Sequence, residues 1–290
     1  MSLTPASTPC PAPTAPANVL SIAGTDPTGG AGIQADLKTF GALGAYGMAV
    51  VTAVVAQNTQ AVRVVSPLAP ELVQAQLEAV FEDVTVAAVK IGMVANAGIA
   101  EAIAEVLARH RPPFVVFDPV MAASTHKRLM NESDLERIRT VLLPQVSLLT
   151  PNLKEAARLL GIAQPVDEAG MRACLPELQA LGVPNVLLKG GHLADDTPDA
   201  PESTDLLATP EGVIRLSAPR IATRHGHGTG CTLSSAIAAL WPQHGLEKAT
   251  RMAKDYVHGA LLHADALQVG HGRGPLHHFW QAVHLPGQLA

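Results

Sequence analysis

Aromatic and charged residues are scarce in this sequence, and its basic residues form no cluster. Aromatic residues account for 3% and charged residues for 16% of the 290 residues, and the formal net charge is −5. A mildly acidic chain without runs of lysine or arginine lacks the positive surface that nucleic acid or an anionic membrane selects. We therefore expect no nucleic-acid partner and no membrane partner.

Cysteine is scarce as well. Cys10, Cys174 and Cys231 lie far apart, which argues against a disulfide framework or a structural zinc site. Residues 1–17 consist mainly of proline, alanine and threonine and lack the basic start and apolar core of a secretion signal. We predict a disordered tail there, and a cytoplasmic protein with one domain over residues 18–290.

Long uninterrupted apolar runs are also missing. Phe40–Ala56 carries no charge and approaches the roughly 18 residues of a membrane span, but Gly41, Gly44 and Gly47 interrupt it. Its alanine, glycine and threonine content also makes it only weakly apolar. We interpret this run as a helix end, a glycine-rich turn and a buried strand.

Short apolar segments typical of buried strands recur along the chain. They are Val19–Ala23, Ala49–Ala56, Ala87–Met93, Phe114–Val120, Ser147–Leu149 and Val186–Lys189. Apolar residues between them recur with helical spacing. This alternation predicts an α/β fold with a mainly parallel central sheet flanked by helices on both faces. Asp205–Ser217 predicts a hairpin that turns at residues 209–212, and a helix is predicted from Gly228 onward.

A glycine-rich segment, Gly24–Asp36, follows the first predicted strand. It is neither a lysine-containing phosphate loop nor a dinucleotide fingerprint, because both spacings fail. We interpret it as a strand–loop–helix unit whose backbone approaches a ligand, with Asp26 and Asp36 as polar groups. The alternative is a tight turn in which Asp26 serves as a cap.

Polar residues also follow several other predicted strands. Gln57 offers a donor and acceptors to an amino-substituted heterocycle, or is simply a turn residue. Asp118 and Glu155 offer oxygen ligands for Mg²⁺, although Asn152 and Glu155 also fit a helix capping box. Lys189 precedes two glycines, where a polyphosphate would pair with it, and the alternative is a solvated lysine.

The segment from His227 to Thr232 (HGTGCT) begins a predicted helix. Consecutive N–H groups from Gly228 to Cys231 would form an anion-binding concavity, strengthened by the helix dipole. We expect the same dipole to lower the pKa of the Cys231 thiol, which makes it a candidate proton acceptor. The alternative is a buried structural cysteine. No further ligand lies near His225 and His227 in the sequence, so we discount a metal site there.

Taken together, these motifs resemble the hydroxymethylpyrimidine/phosphomethylpyrimidine kinases of thiamine biosynthesis, within the ribokinase-like superfamily. The resemblance extends from about Asn18 to Leu285. It rests on AGTDPTGGAGIQADLKTFGALGAYG, VVAQNT, VKIGM, DPVM, TPNLKEA, LLKGGH, HGTGCTLSSAIAA and GHGRGPLHHFW. It implies a three-layer sandwich, transfer of the γ-phosphate of ATP with Mg²⁺ to hydroxymethylpyrimidine and to its monophosphate, and a homodimer.

The resemblance also implies roles for individual residues. The positions that line the pyrimidine pocket are matched by Gly24, Asp36, Gln57, Met93 and Val120. The magnesium-associated carboxylates are matched by Asp118 and Glu155, and the nucleotide region by Asn152, Lys189 and Thr229. The catalytic base is matched by Cys231. We expect the amides of Gly228 and Gly230, together with Lys189, to stabilise the transferring phosphoryl group.

Two segments depart from the family pattern. The run Ala122–Lys127 replaces a serine–glycine pair, and His225-Gly226 replaces an asparagine–threonine pair. Both are expected near the nucleotide or a flap. Two other functions fit the same motifs: a pyridoxal kinase of the same superfamily, and a non-catalytic pyrimidine-binding regulator.

Overall fold

The structure is a computed structural model that describes residues 15–121, 132–191, 193 and 202–281. Most of the predicted tail at residues 1–17 and the departing segment Ala122–Lys127 lie outside these residues. Among the helices described, none is long and apolar enough to cross a membrane. Phe40–Ala56 contributes to a helix, a turn and a strand, as the glycine pattern predicts.

Nine strands in the described residues form one sheet. In chain order they are β1 (Asn18–Gly24), β2 (Tyr46–Gln57), β3 (Val62–Pro67), β4 (Ala88–Ile91), β5 (Val115–Phe117), β6 (Leu148–Leu149), β7 (Asn185–Lys189), β8 (Glu202–Thr209) and β9 (Gly212–Pro219). Their order across the sheet is β3-β2-β1-β4-β5-β6-β7-β8-β9. The six strands from β2 to β7 in this order pair in parallel, and β3, β8 and β9 are antiparallel.

The sequence-based prediction of a mainly parallel sheet is therefore confirmed. The hairpin is confirmed too, since Thr209 at the end of β8 pairs with Gly212 at the start of β9. The sequence reading missed β3. This edge strand pairs only with β2 among the described strands, and its residues are half-buried or exposed. Its three valines are interrupted by Arg63, so it lacks the continuous apolar run by which the buried strands were identified.

Eight α helices in the described residues cover both faces of the sheet. They are α1 (Gly32–Ala42), α2 (Pro70–Phe81), α3 (Ala97–His110), α4 (Glu132–Arg137), α5 (Leu153–Leu160), α6 (Glu168–Gln179), α7 (Thr229–His244) and α8 (Leu246–Leu262). One core lies between the sheet and α2 to α6, and a second lies between the sheet and α1, α7 and α8. The strands alternate between these cores: on β1, Leu20 and Ile22 face the first core and Val19 faces the second.

The connections create a switch point in the sheet. From β1 the chain moves to β2 and β3 on one side, and β4 then pairs with the other side of β1. In open α/β sheets the ligand crevice lies outside the carboxyl ends of the strands at such a switch point. The glycine-rich segment after β1 and the residues after β4, β5 and β7 all lie at this edge.

Candidate active site

A cavity of about 500 Å³ opens at the carboxyl edge of the sheet. Its lining combines residues after β1, β2, β4, β5 and β7 with the start of α7. It includes every residue that the sequence singled out except one: Gly24, Gln57, Met93, Asp118, Val120, Asn152, Glu155, Lys189, Gly228, Thr229, Gly230 and Cys231. The fold therefore brings together side chains that are up to 207 positions apart, which is the separation between Gly24 and Cys231.

The first turn of α7 presents backbone N–H groups to this cavity. Gly228 precedes the helix with φ of +85°, no side chain caps this end, and the first turn contains no acidic residue. An ideal Cβ at position 228 would lie 1.8 Å from the carbonyl oxygen of Gly30, so only glycine fits. The first N–H groups of a helix have no intrahelical acceptor, which leaves them available to an anion.

Helix α1 begins beside the same cavity. Ala31 and Gly32 line it, no side chain caps the helix there, and its first turn has no acidic residue. The positive ends of two helix dipoles therefore face one cavity, which favours a negatively charged ligand.

Cys231 lines the cavity, but its predicted acidity is wrong. Burial raises the pKa of the thiol to about 11, and the opposite charge of Lys90 only partly offsets this effect. The nearby carboxylates of Asp36 and Asp118 raise the pKa further, whereas the backbone N–H of Gly32 lowers it. The helix dipole suggested by sequence acts in the opposite direction to desolvation, and desolvation is the larger effect.

Asp118 and Lys189 form an ion pair in the cavity, with Nζ 2.7 Å from Oδ1. The pair is largely buried, so Lys189 is not a solvated lysine at a strand end. Burial lowers the pKa of Lys189, but the charges of Asp118 and Glu155 outweigh it and the net pKa is raised. A carboxylate of the chain thus pairs with this lysine, and the expected pairing with a polyphosphate stays a prediction.

Asn152 and Glu155 form the capping box at the start of α5. The Asn152 backbone N–H donates to Glu155 Oε2 at 2.8 Å, and the Glu155 N–H donates to Asn152 Oδ1 at 2.9 Å. Both residues also line the cavity, so capping and ligand binding are compatible here. Burial, with the negative charge of Asp118, raises the pKa of Glu155 to about 7, although Lys189 lowers it.

Four of the residues that the sequence predicts for a pyrimidine pocket line this cavity. They are Gly24, Gln57, Met93 and Val120. An ideal Cβ on Gly24 would lie 2.3 Å from Met93 Cε, so glycine at this position makes room for the methionine.

Asp36 does not line the cavity, which corrects its assignment to the pyrimidine pocket. It lies fully buried on α1 beside Lys90 of β4, with Lys90 Nζ 2.8 and 2.9 Å from the two carboxylate oxygens. Ser21 and Ser235 donate hydrogen bonds to the same carboxylate at 2.6 and 2.7 Å. Asp36 therefore neutralises a buried lysine and links β1, β4, α1 and α7 beneath the site.

Sequence reasoning left Lys90 and His227 out of the site, although both line the cavity. Lys90 could have been found from its place within the apolar strand motif VKIGM. A lysine in a buried strand requires a partner, so its position indicates a buried ion pair.

Asp26, which the sequence indicated as a polar group for a ligand, lines the cavity too. The tight turn in the alternative interpretation is confirmed, since the carboxylate of Asp26 accepts hydrogen bonds from the backbone N–H groups of Thr28, Gly30 and Ala31. Asp26 does not cap α1, however, because the N-cap residue is Ala31 and no side chain caps the helix there.

Basic residues line the end of the cavity near β9 and α8. They are Arg220, Lys254 and His258. Arg273 also lines the cavity, but on the side of β2, where its backbone N–H donates to the carbonyl oxygen of Thr59 at 3.0 Å. Lys254 pairs with Asp205, with Nζ 2.6 Å from Oδ2. The sequence patterns did not identify this end, because the end of β9 and the helix α8 lie apart in the chain and share no motif.

Solved structures with the same fold are small-molecule kinases. Staphylococcus aureus pyridoxal kinase in complex with AMP-PCP and pyridoxal is 30% identical, with a TM-score of 0.82 over 92% of this chain and 94% of that one. Clostridium difficile phosphomethylpyrimidine kinase is 39% identical, with a TM-score of 0.73 over 84% of this chain and 99% of that one. The fold and the site define a small-molecule kinase of the ribokinase-like class.

Sequence comparisons identify the family within this class. The family model for phosphomethylpyrimidine kinase matches residues 26–277. The hydroxymethylpyrimidine/phosphomethylpyrimidine kinase of Escherichia coli (strain K12) is 52% identical over 263 residues, which cover 90% of this chain and 97% of that relative. The chain belongs to the phosphomethylpyrimidine kinase family, and the resemblance inferred from its motifs is confirmed.

Proposed function

We propose that this chain transfers the γ-phosphoryl group of ATP to the hydroxyl of 4-amino-5-hydroxymethyl-2-methylpyrimidine, and then converts the monophosphate to the pyrophosphate, in thiamine biosynthesis. The observation that carries the proposal is a single cavity with the N-terminus of α7 and Cys231 beside the pocket of Gln57 and Met93. Membership of the phosphomethylpyrimidine kinase family supports it.

Phosphoryl transfer passes through a loose transition state, so catalysis consists mainly of positioning and charge neutralisation. In the proposed function the N–H groups of residues 228–231 and the ammonium of Lys189 stabilise the transferring group. Asn152 and Thr229 contact the nucleotide phosphates. The basic end of the cavity accommodates the rest of ATP.

Magnesium is part of this proposal, with Asp118 and Glu155 as its protein ligands. In the described residues, no group of three or more histidine, cysteine or acidic side chains is arranged to hold a metal. Two carboxylates nevertheless fit Mg²⁺, which keeps several waters and binds substrate phosphates. The mutual repulsion of Asp118 and Glu155, which contributes to the raised pKa of Glu155, is consistent with a cation beside them. When bound, Mg²⁺ would neutralise charge on the phosphates.

Cys231 is proposed as the acceptor of the hydroxymethyl proton. A thiol with a pKa of about 11 is protonated at neutral pH, so only its minor thiolate form can act as a base. We therefore expect kcat to rise as pH increases from 7 to 9. Replacing the thiol by a carboxylate, whose ordinary pKa of about 4 is far lower than that of a thiol, should flatten the profile.

The proposed function is tested by measuring ADP release with hydroxymethylpyrimidine, its monophosphate and pyridoxal as acceptors. We expect the two pyrimidines to be preferred. Cys231→Ala should lower kcat by about 10²–10⁴-fold while pyrimidine binding, measured by calorimetry, persists. Cys231→Asp should restore part of the rate and remove most of its pH dependence. Unchanged turnover in Cys231→Ala would exclude the thiol from catalysis.

The same assay separates the two other functions. A preference for pyridoxal would identify a pyridoxal kinase, which is the activity named for several structural neighbours. Pyrimidine binding without ADP release from any acceptor would identify a non-catalytic regulator. The homodimer and the cytoplasmic location remain predictions from the family resemblance. Light scattering after gel filtration and cell fractionation would test them.

A further inference from the structure

A buried hydrogen bond joins two loops that form the cavity. Asp26 lies in the loop after β1, and His227 immediately precedes Gly228 at the start of α7, 201 residues later. The Nε2 atom of His227 lies 2.8 Å from Oδ2 of Asp26, and the two side chains are 10% and 1% exposed. Both residues line the cavity.

Asp26 fixes the conformation of its own loop. Its Oδ1 accepts hydrogen bonds from the backbone N–H and the hydroxyl of Thr28, at 2.9 and 2.8 Å. Its Oδ2 accepts from the backbone N–H groups of Gly30 and Ala31, at 3.1 and 2.8 Å, and also faces His227. Burial alone would raise the pKa of Asp26, but these hydrogen bonds lower it well below its ordinary range. The carboxylate therefore remains ionised, and His227 Nε2 serves as the donor.

His227 is held on its other side by the segment that follows α8. Its backbone N–H donates to the carbonyl oxygen of Gly274 at 3.1 Å, and it forms an isolated parallel bridge with Pro275. The imidazole also packs against Gly30, where an ideal Cβ would lie 2.7 Å from His227 Cδ2. The ring consequently has little freedom to move, and the next residue of the chain is the first of the amide-presenting turn.

We propose that His227 is a positioning residue: its hydrogen bond to Asp26 sets the distance between the loop at residues 24–31 and the N–H groups of residues 228–231. This inference rests on the proposed function. In that function, the loop at residues 24–31 contacts the pyrimidine, and the turn at residues 228–231 contacts the transferring phosphoryl group. The hydrogen bond between His227 and Asp26 therefore aligns the pyrimidine with the transferring phosphoryl group, although neither side chain contacts the reacting atoms.

Misalignment of about 1 Å in an active site lowers a rate by roughly 10²-fold. We expect a loss of this size in kcat when the bond is removed. The KM values should change by less than threefold, since the groups that contact each substrate are retained. A histidine with a merely structural role would instead lower stability and leave the kcat of the folded enzyme unchanged.

The test compares His227→Gln with His227→Met. The two side chains are similar in length, but only glutamine keeps an N–H donor that reaches Asp26. We expect His227→Gln to retain at least a third of the wild-type kcat, whereas His227→Met falls 30-fold to 100-fold. Equal losses of kcat in the two variants would overturn the proposal.

Hydrogen exchange measured by mass spectrometry gives a readout that is independent of kinase activity. In His227→Met we expect at least tenfold faster exchange in a peptide covering residues 26–34, whose amides at Thr28, Gly30 and Ala31 donate to Asp26. The same peptide in His227→Gln should match wild type. Wild-type exchange in His227→Met would overturn the proposal, even if the wild-type enzyme phosphorylated none of the acceptors.

A double-variant cycle covers the case in which His227→Met fails to fold on its own. In an Asp26→Asn background the bond to the carboxylate is already lost, so His227→Gln and His227→Met should then differ in kcat by less than threefold. A difference of 30-fold or more in that background would show that His227 acts without Asp26 and would overturn the proposal.

Discussion

Lys90→Met should strongly destabilise the protein, because it removes one member of a fully buried ion pair. Neither Lys90 nor Asp36 has exposed side-chain surface, and Nζ lies 2.8 Å from the nearer carboxylate oxygen. Breaking a buried pair from one side typically costs about 3–5 kcal/mol, since a charge is left without compensation. Ser21 and Ser235 continue to donate hydrogen bonds to Asp36, which favours the lower end of this range.

The loss expected for Lys90→Met is large relative to the total free energy of unfolding of a domain, which is about 5–15 kcal/mol. Urea unfolding followed by circular dichroism would measure it. Lys254→Met provides the matched control, because the Lys254–Asp205 pair is 12% and 9% exposed and water can replace the lost partner. We expect that control to lose at most about 2 kcal/mol.

A double variant completes this prediction. Lys90→Met combined with Asp36→Asn removes both charges, so its loss should be at least about 2 kcal/mol smaller than the sum of the two single losses. The reasoning is refuted if Lys90→Met costs less than about 1 kcal/mol, or if the two single losses are additive. Either result would mean that the two buried charges are not compensating each other.

Three further predictions concern the cavity and the segment beside it. Gln57→Ala should raise the KM for the pyrimidine at least tenfold and that for ATP less than twofold; equal increases would contradict its place in the pyrimidine pocket. Gly230→Ala should lower kcat at least 100-fold, because its ideal Cβ lies 3.0–3.2 Å from both members of the ion pair below it, whereas Gly41→Ala, with open space around it, should be neutral in the same kinetic assay. His278 should make the protein acid-sensitive: burial lowers its pKa to about 4, so it contributes about 3 kcal/mol that is lost as pH falls from 6.5 through 4. Urea midpoints at pH 7 and pH 4 would measure this loss, and His278→Gln should reduce the difference between them.

The sequence predicted the parallel part of the sheet because buried parallel strands are apolar on both faces. β1, β2 and β7 were placed within a few residues of their observed bounds. β3 was missed because an exposed edge strand has no such signature. The capping box of Asn152 and Glu155 was also visible as a pattern. The sequence did not show that both capping residues also line the cavity, because that depends on where α5 lies relative to β5 and β7.

Sequence reasoning gave a wrong location for the side chain of Asp36 and a wrong direction for the pKa shift of Cys231. A motif places Asp36 one turn into α1, but only the packing of α1 against β4 decides that it faces Lys90 rather than the cavity. A helix N-terminus predicts an acidic thiol, but the desolvation that raises the pKa of Cys231 depends on the surrounding elements.

The amino-acid sequence is enough to predict the alternation of strands and helices, the glycines that allow close backbone approach, and the family. These properties are encoded locally, in periodicity, backbone conformation and short motifs. The pairing of buried charges and polar groups, by contrast, depends on tertiary packing. Lys90 with Asp36, Lys189 with Asp118 and His227 with Asp26 join residues 54, 71 and 201 positions apart. Such pairings follow from the way the elements pack, because desolvation makes an unpaired buried charge costly wherever in the chain its partner lies.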